Sequence, residues 1–185
     1  MRVLGKVLIA ALPVVAASNM ILRDEFGGTA LDSSWKAGKG KWEMVGGAVK
    51  GSELASDKHA AVIRRPVAYR NADIVFEFKL AGAEWVALSL NKQGAHVARV
   101  VISPKGFRIQ KDSPTAMLAK NDDPIAADVW HKMRVTVDGQ NMKASLDART
   151  LIEGRHEAID VDKVDIGFPV KGQSVYLRNV SVTTK

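Results

Sequence analysis

Hydrophobic residues occupy every second position along one stretch near the middle of the chain. Every second position is apolar at Ile74, Phe76, Phe78 and Leu80, and the positions between them are Asp73, Val75, Glu77 and Lys79. A period of two is typical of a β-strand with one buried and one solvated face. The same pattern predicts a second strand with Val86, Leu88 and Leu90 facing a core and Trp85, Ala87, Ser89 and Asn91 facing outward.

A β-hairpin and several further strands follow from the same alternation. The turn Asp138-Gly139-Gln140-Asn141 joins a strand with Met133, Val135 and Val137 inward to one with Met142, Ala144 and Leu146 inward. Strands are also predicted over residues 60–64, 96–103, 107–111, 164–170 and 174–183. In the last strand the inward set shifts between Leu177 and Val180, which predicts a β-bulge at Arg178-Asn179.

Short turns separate these strands, and the sequence contains no long amphipathic helix. The turn signals are Gly46-Gly47, Gly82, Lys92-Gln93-Gly94, Pro104-Lys105-Gly106, Asp138-Gly139 and Lys171-Gly172. Pro114 and Pro124 bracket residues 115–120, where we expect a long loop or a single turn. About ten short strands with this spacing favour an all-β fold, an antiparallel β-sandwich or barrel, built as one domain.

The N-terminal residues have the pattern of a secretory signal peptide. Arg2 and Lys6 precede an apolar run over residues 7–17, and Ala16-Ala17-Ser18 provides small residues for cleavage. The run is much shorter than the roughly 20 residues that a transmembrane helix needs. We therefore expect a signal peptide over residues 1–18, a β-sandwich domain over residues 19–185, and export to a periplasm or the extracellular space.

Composition narrows the possible functions. The chain has no cysteine, which excludes disulfides, zinc ribbons, thiol nucleophiles and a lipid-anchored cysteine. The net charge of +7 falls to +5 without Arg2 and Lys6. The remaining basic residues are interleaved with acids, and no run exceeds two adjacent basic residues, so we expect no nucleic-acid partner.

Several spaced motifs carry a resemblance to a known fold family. They are Asp24-Glu25-Phe26, then Leu31 and Trp35, Gly40-Lys41-Trp42-Glu43, the glycine-rich residues 46–51, and the last strand, 175–182. This pattern resembles concanavalin A-like jelly-roll domains, which include lectins and glucanases. Residues 57–62 and 69–78 resemble a branch related to the 3-keto-disaccharide hydrolase-like domains of exported bacterial proteins. The resemblance implies a carbohydrate partner, with either binding or hydrolysis as the activity.

The catalytic residues of the related glucanases have no counterpart in the sequence. Those enzymes carry an E-x-D-x-x-E strand, and a retaining pair of carboxyl groups must lie about 5 Å apart. The nearest pair here is Asp73 and Glu77, whose backbones are roughly 13 Å apart at about 3.3 Å per residue. Cleavage of a 3-keto sugar needs instead a base and an electrophile for the developing enolate. The candidate catalytic residues for that chemistry are His59, His96 and Glu77, and Arg99 is a further residue of a suitable type; the sequence does not show that they lie close together.

Polar and aromatic residues on outward strand positions could bind a sugar. Indole rings stack on the apolar face of a sugar, and amides and guanidinium groups bond to its hydroxyls. A stripe of such residues comprises Asn91, Arg99, Arg108, Gln110, Lys132 and Arg134, mixed with Glu77, Ser89 and Trp85. The candidate ligand-binding residues are Lys58, His59, Trp85, Asn91, His96 and Arg99. An ordinary solvated sheet face explains the same pattern.

The sequence offers little for a metal or another cofactor. No two histidines have the spacing of a metal site, and we expect no metal and no cofactor. The acidic residues at 121–123 and at Asp160, Asp162 and Asp165 leave a structural calcium ion open. Three functions therefore remain: a lectin-like exported domain as the leading hypothesis, a small hydrolase of the 3-keto-disaccharide type, and a structural domain of the cell envelope.

Overall fold

The computed structural model describes residues 18–185, and the predicted signal peptide lies outside these residues except for Ser18. The described part of the chain consists of fifteen strands and two short 3-10 helices, Ala55–Asp57 and Glu157–Ile159. None of its helices is long and apolar enough to span a membrane. In chain order the strands are β1 (Asn19–Asp24), β2 (Lys36–Lys39), β3 (Lys41–Met44), β4 (Val49–Ser52), β5 (Ala61–Tyr69), β6 (Ala72–Leu80), β7 (Ala83–Lys92), β8 (Ala95–Ser103), β9 (Gly106–Lys111), β10 (Ala116–Asn121), β11 (His131–Asp138), β12 (Asn141–Leu146), β13 (Thr150–Arg155), β14 (Lys163–Gly172) and β15 (Val175–Thr184).

Two antiparallel sheets form a sandwich. The front sheet has the strand order β10-β9-β8-β7-β14-β5-β2, and the back sheet has the order β13-β12-β11-β6-β15-β4-β3, with β1 also paired to β15. The chain crosses repeatedly between the sheets, since β5 and β7 lie in front and β6 lies behind. The predicted all-β sandwich of jelly-roll type is confirmed.

The core lies between the two sheets and is built from the inward residues of the alternating strands. Phe76 of the back sheet meets Phe168 of the front sheet in an edge-to-face contact, with ring centroids 5.1 Å apart. Trp35 packs on both Phe26 and Phe168, at 5.3 and 6.2 Å. Each fully buried large apolar side chain stabilises the fold by about 1.5–3 kcal/mol. The inward set of every central strand is therefore strongly specified.

The predicted hairpin and bulge are both confirmed. Asp138 pairs with Asn141 at the end of the β11–β12 hairpin. The register of β15 against β6 shifts between Arg178 and Ser181, and Asn179 has a positive φ of 52°. This bulge returns Val180 and Val182 to the core face.

The expectation of a loop or single turn over residues 115–120 is wrong, because Ala116–Asn121 forms β10. Among residues 18–185 this strand is the edge of the front sheet and pairs only with β9. Leu118 packs against the core, whereas Met117 is 58% exposed. An edge strand with so little buried surface needs no strong alternation, so the sequence pattern does not reveal it.

A close backbone approach at Gly40 holds the loop that precedes β5. The Gly40 amide donates to Asp57 Oδ2 at 2.6 Å, within the 3-10 turn that leads to His59. Gly40 has a φ of +78°, and an added Cβ would lie 2.2 Å from Ala61 Cβ. Only glycine satisfies both conditions, so this close approach holds the loop that carries His59 just before β5.

We predict that Gly40→Ala destabilises the protein more than Gly46→Ala. Gly46 also has a positive φ, of 57°, but an added Cβ there meets nothing within 4 Å. The control should cost about 1–2 kcal/mol from backbone strain alone, and Gly40→Ala about 1–3 kcal/mol more from the steric clash. Chemical denaturation measures both, and equal losses would contradict the close approach.

Candidate functional site

A cleft of about 290 Å³ opens on the outer face of the front sheet. Except for His59 and Ala60, which precede β5, its residues lie at outward positions of β5, β7, β8 and β14. In β8 a register shift against β7 brings His96 and Arg99, three residues apart, to the same face. The cleft is lined by His59, Ala60, Val62, Arg64, Trp85, Ser89, Asn91, His96, Arg99, Gly167 and Pro169. Two of its polar residues, Ser89 and Asn91, are each only 2% exposed and therefore form its floor.

A chain of hydrogen bonds runs from Asp165 through Asn91 to His96. The amide nitrogen of Asn91 donates to Asp165 Oδ1 at 2.5 Å, and Asn91 Oδ1 lies 2.5 Å from His96 Nδ1. Ser89 Oγ also donates to Asn91 Oδ1, at 2.9 Å. Because an amide oxygen only accepts, His96 Nδ1 must carry a proton. In the neutral ring, Nε2 then holds the free lone pair.

Burial and nearby cations favour the neutral form of His96. Partial burial lowers the pKa of His96, and the positive charges of Arg99 and Arg64 lower it further, while Asp112 and Asp165 act in the opposite direction. A neutral imidazole with an unprotonated Nε2 can accept a hydrogen bond or a proton. His96 is thus equipped either to bind a hydroxyl group or to act as a base.

Arg99 is held by a second series of hydrogen bonds on the same face of the front sheet. Its Nε donates to Asp112 Oδ2 at 3.0 Å, and Gln110 donates to the other oxygen of Asp112 at 3.2 Å. Arg108 in turn donates to Gln110 at 3.2 Å. Since Asp112 is bonded through Nε of Arg99, the terminal nitrogens of this guanidinium remain for a ligand.

One side of the cleft is apolar and shallow. Trp85 is half-buried there, near Pro169 and Val62. Among residues 18–185 its indole forms no stacked or cation–π pair, in contrast to Trp130, which has Arg178 4.0 Å from its ring centroid. The ring of Trp85 is therefore available to a flat apolar surface.

A buried lysine supports the start of β14 behind this face. Lys163 is 1% exposed, and its ammonium donates to the carbonyl oxygens of Arg70 at 2.8 Å and Ile159 at 2.7 Å. Burial lowers its pKa to about 8. These bonds tie β14 to the end of β5 and so help to position Asp165, two residues further along β14.

The structure brings together five of the six predicted ligand-binding residues. His59, Trp85, Asn91, His96 and Arg99 all line the cleft. The sixth, Lys58, is exposed beside them in a left-handed conformation (φ 48°) and does not line the cleft. Whether these residues bind a ligand stays a prediction.

Glu77, the third candidate catalytic residue, lies away from His59 and His96. It belongs to β6 of the back sheet, where it accepts a hydrogen bond from Arg178 at 2.7 Å. Partial burial raises the pKa of Glu77, but hydrogen bonds from Arg178 and Asn179 outweigh this effect and hold the pKa below its usual value. The two histidines and Glu77 therefore cannot share one site.

The predicted basic stripe is divided between the two sheets. Asn91, Arg99, Arg108 and Gln110, with Ser89 and Trp85, belong to the front sheet, whereas Lys132, Arg134 and Glu77 belong to the back sheet. Arg134 is bonded there to Asp73 at 2.9 Å. The stripe is thus two separate faces on opposite sides of the sandwich.

The remaining histidines and acidic residues have structural partners. His131 bonds to Asp147 at 2.8 Å and stacks on Phe78, and His156 accepts from the amide of Ala158. The acidic residues considered for calcium contact Arg70, Lys120, Asn121 or Asn91. Within the described part of the chain, no three His, Asp or Glu side chains are grouped to hold a metal ion.

Sequence reasoning missed Arg64, Gly167 and the role of Asp165 in the cleft. Because Arg64 follows the inward Ile63, the sequence indicates that Arg64 faces outward. The sequence does not indicate which residues of neighbouring strands lie beside Arg64. Gly167 stands inside a strand, where glycine often marks a close approach of another group. That signal was available in Ile166-Gly167-Phe168.

The chain matches no known protein-family model and no curated protein. Solved structures nevertheless share its fold. The carbohydrate-binding module CBM66 from Bacillus subtilis is similar with a TM-score of 0.68 and 15% identity, covering 82% of this chain and 94% of the module. A Bacillus subtilis protein of unknown function with a galectin-like fold has a TM-score of 0.71 and 13% identity, covering 89% and 95%.

An enzyme of the same fold is comparably similar. The β-glucanase of Bacillus licheniformis has a TM-score of 0.68 and 12% identity, covering 90% of this chain and 98% of the enzyme. These proteins establish that the described domain has the concanavalin A-like jelly-roll fold. At such low identity they say nothing about which activity this chain has.

We predict that His96 makes the protein less stable as the pH falls. Its pKa is lowered in the folded state relative to the unfolded value of about 6.5, so the unfolded chain binds the proton more readily. Stability should decrease as the pH falls through 6.5 toward the lower, folded-state pKa. Chemical denaturation between pH 7.5 and 5 should show this loss in the wild type and in a His59→Gln control, but a smaller loss in His96→Gln. Parallel profiles for wild type and His96→Gln would contradict the assignment.

Proposed function

We propose that this domain binds a carbohydrate in the cleft of the front sheet. The observation that carries the proposal is the combination of an available indole ring, Trp85, with hydrogen-bonding groups of Asn91, His96 and Arg99 in one cleft. Sugars present an apolar face for stacking and vicinal hydroxyls for planar polar groups. The likeness to a carbohydrate-binding module and to a β-glucanase supports this choice.

The two series of hydrogen bonds that hold His96 and Arg99 favour binding of one particular sugar. His96 and Arg99 are each oriented by a partner that is itself hydrogen-bonded, Asn91 and Asp112 respectively. Preorganised side chains lose little conformational freedom on binding. We further propose that the protein works after export, in a periplasm or outside the cell, where polysaccharides are accessible.

Substitution of Trp85 tests the binding function. Trp85→Ala should weaken glycan binding at least about tenfold, equivalent to about 1.4 kcal/mol, because the stacking surface is lost. Trp130→Ala is the matched control, since Trp130 is also half-buried but lies outside the cleft. Affinity gels and calorimetry against plant, algal and bacterial glycans measure the effect. Absence of wild-type binding to every glycan would exclude a lectin-like role and favour a structural domain.

The tautomer of His96 with an unprotonated Nε2 favours a second candidate function, because such a nitrogen can accept a proton. We propose as the alternative that the domain hydrolyses a 3-keto-glycoside, with neutral His96 Nε2 as the base. The base would remove the proton from carbon 2, next to the ketone, and the enolate would expel the alkoxide from carbon 1, which takes a proton from water. The hydroxide left from that water would then add to carbon 1, and protonated His96 would return its proton to carbon 2. Arg99 could stabilise the enolate oxygen.

Sugar release from a 3-keto-glycoside distinguishes hydrolysis from binding. If the domain is a hydrolase, His96→Gln should lower the rate by about 100-fold or more. Glu77→Gln should leave the rate unchanged, because Glu77 lies on the back sheet. A wild-type protein that binds glycans without releasing sugar excludes the enzymatic alternative.

A further inference from the structure

The charges that line the cleft are all of one sign. Arg64 and Arg99 contribute two guanidinium groups, while none of the eleven lining residues is an aspartate or glutamate. The chain has 20 acidic residues, so the absence of any of them from the cleft lining makes the cleft locally cationic. A cleft with cations alone attracts an anionic ligand.

The guanidinium of Arg64 is free to bind such a ligand. Among residues 18–185 it takes part in no ion pair and in no side-chain hydrogen bond, whereas the guanidinium of its neighbour Arg65 pairs with Asp32 at 3.3 Å. Arg99 uses its Nε for Asp112. Both arginines therefore retain the paired terminal nitrogens that bind a carboxylate in a bidentate manner.

The two arginines flank a floor of small residues. Arg64 pairs in register with Gly167, Gly167 with Ser89, and Ser89 with Arg99. Three strand spacings separate the arginines, so their Cα atoms lie roughly 14 Å apart. An added Cβ at Gly167 would be in van der Waals contact with Arg64 Cγ at 3.4 Å and with Asn91 Nδ2 at 3.6 Å. Because glycine lacks this atom, that part of the space between the arginines stays open.

The two carboxylates that act on His96, those of Asp112 and Asp165, are already bonded to neutral or cationic partners. Asp165 accepts from Asn91, and Asp112 accepts from Arg99 and Gln110. Four charged groups act on His96 electrostatically: Arg99, Asp112, Arg64 and Asp165. Of these, only the arginines line the cleft. A ligand in the cleft therefore meets cationic and neutral groups, with both carboxylates outside its lining.

We propose that the cleft selects acidic sugars, specifically uronic acid residues of an anionic oligo- or polysaccharide, and that Arg64 binds the sugar carboxylate. This inference rests on the proposed glycan-binding function and names its ligand class. Trp85 contacts the apolar face of the sugar, and Arg99 or His96 binds a hydroxyl or a second carboxylate. A guanidinium matches a planar carboxylate better than it matches neutral hydroxyls.

Calorimetric titration with matched sugars tests the inference. The probes are tetramers of galacturonate and of mannuronate, and the same tetramers after chemical reduction of each carboxyl group to an alcohol. We expect wild-type protein to bind at least one acidic tetramer at least tenfold more tightly than its neutral counterpart. Because the contact is ionic, this preference should decrease as salt concentration rises.

Two substitutions separate a specific contact from general charge attraction. Arg64→Met should reduce affinity for the acidic tetramer at least tenfold and leave the neutral tetramer nearly unaffected. Arg134→Met removes the same charge from the exposed back sheet and should leave both affinities unchanged. Arg64 is exposed, so its variant should remain folded, which thermal unfolding verifies.

Each outcome decides the inference. Equal or tighter binding of the reduced tetramers, or equal weakening by Arg64→Met and Arg134→Met, overturns the selection of uronic acids but leaves a glycan-binding cleft intact. Absence of binding to both the acidic and the neutral tetramers also overturns it. If the wider glycan panel is negative as well, the proposed binding function fails with it.

Discussion

The period-two geometry of β-strands, with one face buried in a shared core, governs the whole molecule. Once Val86, Leu88 and Leu90 of β7 are buried against the back sheet, the residues between them must face away from the core. Trp85, Ser89 and Asn91 therefore reach the outer face of the front sheet. The cleft is thus a direct consequence of core formation, and a slip of one residue in β7 would destroy both.

The buried polar residues at the floor of the cleft must also have hydrogen-bond partners. Ser89 and Asn91 are almost fully buried, and a buried polar group without a partner costs about 1–3 kcal/mol. Their hydrogen bonds with each other and with Asp165 and His96 meet that requirement. The same bonds orient His96 with Nε2 unprotonated. One set of contacts therefore satisfies the buried groups and prepares the histidine for binding or proton transfer.

The fold alone leaves the activity undetermined. The same jelly-roll framework is found in a carbohydrate-binding module and in a β-glucanase, each at 15% identity or less to this chain. The distinguishing features here are local: no acidic residue lines the cleft, two arginines flank a glycine, and a tryptophan has its ring unoccupied. These features, more than the fold, bear on what the domain recognises.

The amino-acid sequence by itself determined the fold class, most of the strands, the β15 bulge and the outward direction of four of the cleft residues, Trp85, Ser89, Asn91 and Arg99. It could do so because burial imposes a local period of two that is visible along each strand. The edge strand β10 escaped this reasoning because so little of it is buried. Only the tertiary structure decided which sheet each strand joins. That assignment placed Asn91, His96 and Arg99 beside Arg64 and Gly167, and it moved Glu77, Lys132 and Arg134 to the opposite side. Strand pairing joins residues far apart in the sequence, such as Asn91 and Asp165, and no local periodicity records which distant strands become neighbours.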